Sequence, residues 1–288
     1  MERLFLGLVF FIVVLSGCDE VPPFIDFSEP GKSKDTTYIV SNIPPAQHKA
    51  VLIEDITGVR CVNCPSAALK IKEIIADKTE DSVIAIALYP WPKNTNGLFS
   101  LTAPYPGFPQ LANDTSSNIV ESLDIPTGLP SGYVDRYIFA PQIVRYNAVG
   151  NWSNLVNSRL RVTTPVNITM TKTLSGRKVN INIKLQYTQA RPGNHKFALY
   201  LTEDKIISKQ ASTTGQIDNY VHNHALRSTL DLPMGRLLNA QLVPGRTFDK
   251  YYEYELPLTY VLQNCHLVAV VIDASTNEVI NVRKIALQ

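Results

Sequence analysis

The stretch from Ala50 to Tyr89 constrains this chain more than any other. Ala50-Val51-Leu52-Ile53-Glu54-Asp55-Ile56 is a largely apolar run of strand length, and Thr57-Gly58 breaks it. From Cys64 onward, Ala67, Ala68, Ile71, Ile74 and Ile75 recur at helical spacing, with Lys70, Lys72 and Glu73 at other positions. Ser82 to Tyr89, SVIAIALY, reads as a second buried strand. Strand, helix and strand at this spacing predict a βαβ unit with parallel pairing. Cys61-Val62-Asn63-Cys64 stands at the first junction, with three readings: a redox centre, half of a metal site, or a staple.

The metal readings lack partners. Structural zinc wants a second CxxC or a histidine pair at suitable spacing, and haem attachment wants histidine where Pro65 stands. No metal and no cofactor is expected. The redox reading has a mechanism. Cys61 at the N-cap or first turn would face unpaired N–H groups and the positive end of the helix dipole. Such positions lower a thiol pKa to roughly 3.5–7.5. Arg60 adds positive potential as a supporting residue, Cys64 is placed to attack a mixed disulfide at Cys61, and Pro65 is tolerated in a first turn. The competing reading is a disulfide that forms in an oxidising compartment and exchanges with nothing.

The N-terminus points to such a compartment. Met1-Glu2-Arg3 precedes an apolar run from Leu4 to Leu15, too short to span a bilayer but suited to export. It ends in Leu15-Ser16-Gly17-Cys18, which resembles a bacterial lipobox. The resemblance implies removal of residues 1–17, lipidation of Cys18, and membrane attachment through several acyl chains. Residues 18–48, with Pro22-Pro23 and Pro44-Pro45, read as a tether in which Thr37 to Val40 could form an edge strand. A formal charge of +2 with no basic stripe gives no case for a nucleic-acid partner. Beyond Cys18, three cysteines do not make a disulfide scaffold, and Cys265 reads as a small buried side chain.

Residues 90–110 interrupt the βαβ pattern with Pro90, Pro92, Pro104, Pro106 and Pro109 among Trp91, Phe99, Tyr105 and Phe108, so regular structure is not expected there. A helix is expected over 111–123, a short strand over Gly132 to Asp135, and a helix from Trp152 to Leu160. After Thr164-Pro165 the period turns to two, as in Val179, Ile181, Ile183 and Leu185, which predicts a β-sandwich.

The cysteine segment resembles the thioredoxin-like superfamily. That resemblance implies that Asp55 shuttles a proton for Cys64 and that Pro130, in Gly128-Leu129-Pro130-Ser131, is the cis-proline facing the cysteines, with Pro126 as the competing assignment. The fold expected is an α/β thioredoxin-like domain over 49–163, with the inserted segment 90–110, followed by an all-β immunoglobulin-like sandwich over 164–288.

A narrower resemblance rests on Glu54-Asp55-Ile56-Thr57-Gly58 through Pro65, on Pro130 to Arg136, and on Tyr220-Val221-His222-Asn223-His224-Ala225-Leu226-Arg227. With the lipobox, these are similar to the bacterial outer-membrane lipoproteins named after a twenty-eight-kilodalton outer membrane protein. An outer-membrane location follows from that resemblance. Two functions stay open. One is thiol–disulfide exchange on exported protein clients or a redox partner, with Cys61, Cys64, Asp55 and Pro130 as the site. The other is a non-enzymatic surface binding protein, adhesin or scaffold, that uses the sandwich and the aromatic insertion. His222 and His224 could share a strand face and hold a metal, or be hydrogen-bonded at a sandwich edge or domain interface.

Overall fold

The structure is a computed structural model that describes residues 32–79, 81–91 and 97–288. The expected signal peptide, the expected lipidation site Cys18, residues 18–31 of the expected tether and insertion residues 92–96 lie outside the described residues. Chain order runs β1 (Lys32–Ile39), β2 (Val51–Ile56), α1 (Cys64–Ala76), β3 (Val83–Leu88), α2 (Asp114–Ser122), β4 (Ser131–Val134), β5 (Tyr146–Asn147) and α3 (Trp152–Leu160). Then come strands β6 (Val166–Ser175), β7 (Lys178–Tyr187), β8 (His195–Glu203), β9 (Ile206–Ser212), β10 (Gly215–His222) and β11 (Ala225–Thr229). The chain closes with β12 (Arg236–Leu237), β13 (Arg246–Glu255), β14 (Cys265–Asp273) and β15 (Val279–Ala286).

The expected fold class is overturned. The described residues are 42% strand and 17% helix, in several sheets, and no clear α/β thioredoxin-like domain stands apart from a sandwich. The parallel pair is present, with β2 on β3 from Val51↔Val83 to Ile56↔Leu88. The sheet does not stop there. It runs β15-β14-β8-β11-β3-β2-β4-β5, with β12 beside β8, and so carries strands from both halves of the chain. The join is narrow: β11 meets β3 in parallel at Ala225↔Ala87. An open edge at β3 would leave backbone N–H and C=O groups unpaired, and β11 pairs it at that one position.

This long sheet is the central layer. Ile84, Ile86 and Leu88 of β3 pack on one face with Tyr200 of β8, Val268 and Val270 of β14, and Ile119 and Val120 of α2. On the opposite face, Val51, Ile53, Val83 and Ala85 meet Ala67, Ile71 and Ile74 of α1 and Trp152 and Val156 of α3. Farther along, that face is covered by the antiparallel sheet β1-β13-β7-β6, whose Ile181, Ile183 and Tyr252 pack against Leu199, Leu201 and Ala269. The two-residue alternation in the sequence is this sandwich seam.

Local chemistry sets several boundaries. The helix expected over 111–123 begins only at Asp114, because the Asn113 side chain caps it by accepting from Ser116 N–H at 2.9 Å. The segment Gly132-Tyr133-Val134-Asp135-Arg136 is a hub. A side chain at Gly132 would come within 2.6 Å of Trp152, so glycine is what lets the indole lie on β4. Asp135 accepts from Leu52 N–H at 2.9 Å and pairs with Lys49 at 3.0 Å and Arg159 at 2.9 Å. Arg136 donates to both Glu54 oxygens, at 2.8 and 2.5 Å, and to the Tyr200 hydroxyl at 3.2 Å, tying β2 to β8 inside the core.

Candidate functional site

Cys61 and Cys64 are joined as a disulfide, and both residues are buried, at 3% and 2% exposure. Helix α1 starts at Cys64 rather than at Cys61, with Asn63 at the N-cap position and Pro65 in the first turn. Cys61 therefore lies in the preceding turn, its N–H donating to the Gly58 carbonyl at 3.1 Å. The dipole argument for a Cys61 thiolate loses its geometry. Two segments clamp the turn. From the insertion, the Leu101 carbonyl accepts from Arg60 N–H at 2.8 Å, and a side chain at Gly58 would come within 2.5 Å of that oxygen. From β9, buried Gln210 donates to the carbonyls of Gly58 at 3.1 Å and Cys61 at 2.9 Å, and Ala211 N–H donates to Val59 at 2.8 Å.

Arg60 serves the insertion, not the cysteines. Its guanidinium donates to Ala103 and Pro104 carbonyls, each at 2.9 Å, and lies over the Tyr105 ring at 4.4 Å. The insertion itself turns through a 3₁₀ helix, Leu98–Thr102, with Phe99 fully buried. Its aromatic rings are packed inward more than displayed. Pro130 follows a cis peptide from Leu129, whereas Pro126 does not, and it leads into β4, whose Ser131 is registered with Ile56. Pro130 is not among the residues that line the cleft described next.

That cleft, of about 650 Å³, lies between α1 and β10, with β2 and β3 at its base. Its floor is shaped by β3, which places Ala85 and Ala87, not larger residues, between α1 and the β9–β10 hairpin. Ala68, Leu69, Ile71, Lys72 and Ile75 of α1 form one wall, and Tyr220, Val221 and His222 the other. Asp55, Tyr89 and Cys64 complete the inner end.

The inner end is polar and short of partners. Among the described residues, Asp55 Oδ1 and His222 Nε2 are buried without a hydrogen bond. Burial pushes the Asp55 carboxyl up to about 8, so it is mostly protonated at neutral pH. Burial pushes the His222 imidazole down to about 4, against a smaller opposing pull from the Lys209 backbone. The Tyr89 hydroxyl and His222 Nδ1 share a hydrogen bond of 3.0 Å. The Tyr220 ring meets the His222 ring edge-on, with centroids 4.8 Å apart. Burial, and then the charge of an ionised Asp55, raise both the Tyr89 and Tyr220 phenols, so all three groups lie within electrostatic reach.

Both histidines line the cleft, in different settings: His222 ends β10, while His224 follows in a left-handed turn (φ 57°) and pairs with Asp204 at 3.2 Å. Among the described residues, no group of three or more His, Cys, Asp or Glu side chains is arranged to hold a metal ion. Cys265 is fully buried, and its thiol donates to the Val261 carbonyl at 3.3 Å. The sequence reading did not assign Tyr89, Gln210 or Tyr220 to the site. Their signals were faint: a tyrosine closing the Ala85-Ala87 face, and the Tyr220-Val221-His222 alternation.

A family model described as "Outer membrane protein Omp28" matches residues 122–288, more than half of the chain. The chain belongs to the Omp28 family. Membership makes it an outer membrane lipoprotein of the cell envelope. The matched part of this Omp28 chain supplies β4 to β15, including Tyr220 and His222, but not the cysteine pair or Asp55. Among solved structures, HBP35 of Porphyromonas gingivalis has a TM-score of 0.64 at 16% identity, over 84% of this chain and 76% of that one, a likeness of fold. A domain of the outer membrane lipoprotein Omp28 from Porphyromonas gingivalis is 21% identical over 42% of this chain and 87% of that one, with a TM-score of 0.30. No curated protein matches the chain.

Proposed function

We propose that this Omp28 chain is a binding protein, held at the outer membrane by lipid on Cys18, whose ligand seat is the cleft between α1 and β10. The observation that carries this reading is a contrast. The two cysteines are already bonded to each other, buried, and clamped from both sides, whereas the cleft is open and holds polar groups that lack partners. Its volume of about 650 Å³ falls in the ordinary range for small-molecule sites. Mostly apolar walls with a few convergent polar atoms fit the same description. Among the described residues of the insertion, Phe99 is buried and the backbone of Ala103 accepts from Arg60, contacts that support the cysteine turn.

A second reading, thiol–disulfide exchange on exported proteins, draws support from Cys64, which lines the cleft together with Asp55. It requires the Cys61 sulfur to be uncovered by movement of the insertion or the hairpin. Trapping separates the two readings. A Cys64→Ser chain expressed in its native envelope retains a free Cys61, and non-reducing gels display any mixed disulfide. Binding without exchange predicts no adduct beyond those of the Cys61→Ser/Cys64→Ser control. A ladder of adducts specific to Cys64→Ser refutes it.

A further inference from the structure

A buried carboxyl is seldom left without a partner, because desolvating it costs several kcal/mol unless a cation or hydrogen-bond donors repay the loss. Asp55 is 3% exposed at the inner end of the cleft, with Oδ1 unbonded. The lining contains one lysine, Lys72, which is exposed on α1, and no arginine. The other titratable groups facing this space are Tyr89 just after β3, Tyr220 and His222 on β10, and His224 beyond it. None is a cation placed against the carboxyl, since His222 is held neutral by burial and His224 is paired with Asp204.

Two phenol groups lie within electrostatic reach of Asp55, those of Tyr89 and Tyr220. Tyr89 and Tyr220 flank His222, at centroid distances of 6.0 and 4.8 Å, both edge-on. Ring faces attract an ammonium group, more strongly when water is excluded. A carboxylate bonded to an ammonium gains a charge-assisted hydrogen bond, roughly twice as strong as a neutral one. A carboxylate ligand would find no cation to pair with there, and would meet like charge wherever Asp55 is ionised. A neutral hydroxyl would satisfy one lone pair and leave the rings unused.

The walls set the remainder of the ligand. Ala68, Ile71 and Ile75 on α1 and Ala85 on β3 make an apolar channel toward a mouth where Leu69 and Val221 are exposed. Lys72 stands at that wall and disfavours a second positive charge. We propose that the cleft binds a primary monoamine with an apolar body, its ammonium held by Asp55 beside the Tyr89 and Tyr220 rings and its body along α1. This inference rests on the cleft being the ligand seat.

The test is calorimetric titration of the full chain in nanodiscs, with empty-nanodisc heats subtracted, using 2-phenylethylamine and its isostere 2-phenylethanol. The amine should bind at least ten-fold more tightly, and Asp55→Asn should abolish the difference. Tyr220→Leu, at a half-buried position, should weaken the amine at least three-fold more than it weakens the alcohol, whether or not Asp55→Asn folds. Equal affinities overturn the amine preference while leaving the cleft a binding site. A preference that survives Asp55→Asn also overturns the proposal. Binding of neither probe overturns it too, and the non-enzymatic reading then stands or falls separately on the Cys64→Ser trapping result.

Discussion

Asp55→Asn should make the folded chain more stable as pH rises, relative to its parent. The Asp55 carboxyl titrates near 3.8 when exposed and near 8 in the fold, raised by burial. Between those values the folded state holds a proton that the unfolded state has released, so stability must fall with rising pH. The contribution is fully present below about pH 4 and is lost as pH climbs through about 8. Each pH unit in between removes about 1.4 kcal/mol, which amounts to about 4 kcal/mol by pH 7. Histidines confuse the lower half of this window. His222 and His195 are both pushed down to about 4 by burial. Their neutral forms add stability as pH rises through about 6.5, with about 0.4 kcal/mol each still to come above it, in the parent and in Asp55→Asn alike. The difference between the two chains cancels that contribution. From pH 6.5 to 8 the parent should lose about 1.5 kcal/mol relative to Asp55→Asn, by urea denaturation at constant ionic strength. Parallel pH profiles would refute the reasoning, because they would mean that the carboxyl is ionised or solvated in the fold.

Three further outcomes follow from packing and charge. Gly132→Ala puts a methyl group 2.6 Å from Trp152 and 2.7 Å from the Glu54 carbonyl, and thermal unfolding should register a loss of about 1–3 kcal/mol; an unchanged Tm contradicts the contact. Arg136→Met strands Glu54 in the core and should cost about 3–5 kcal/mol, whereas adding Glu54→Leu should recover much of it; equal losses in the single and double variants would refute the pairing. Reducing the Cys61–Cys64 bridge opens a very short loop and should lower stability by about 2 kcal/mol in urea melts with and without dithiothreitol; identical melts argue against its role as a staple.

What could be read from the sequence was local. Ala50 to Ile56, the spacing of Ala67, Ile71 and Ile74, and the run SVIAIALY specified β2, α1 and β3, because period and burial are properties of neighbouring residues. The partition into an α/β domain and a separate sandwich failed at one place. Ala225 meets Ala87 from 138 positions away in sequence, and alternation along a strand does not name its partner. The site was legible in the same uneven way. Asp55 and Cys64 were visible, and both line the cleft. Arg60 faced the wrong way because its partners, the carbonyls of Ala103 and Pro104, lie in a proline-rich segment without period. Tyr89 and His222 meet only through tertiary folding, at a hydrogen bond that no local pattern encodes.

The account turns on a protonated carboxyl enclosed beside two tyrosines, and carbon-13 NMR of the Asp55 side chain in the folded full chain reports it directly. A titration midpoint near 8 is the result expected. A midpoint near the ordinary value of 3.8 would place Asp55 in water and remove the ligand seat built around it.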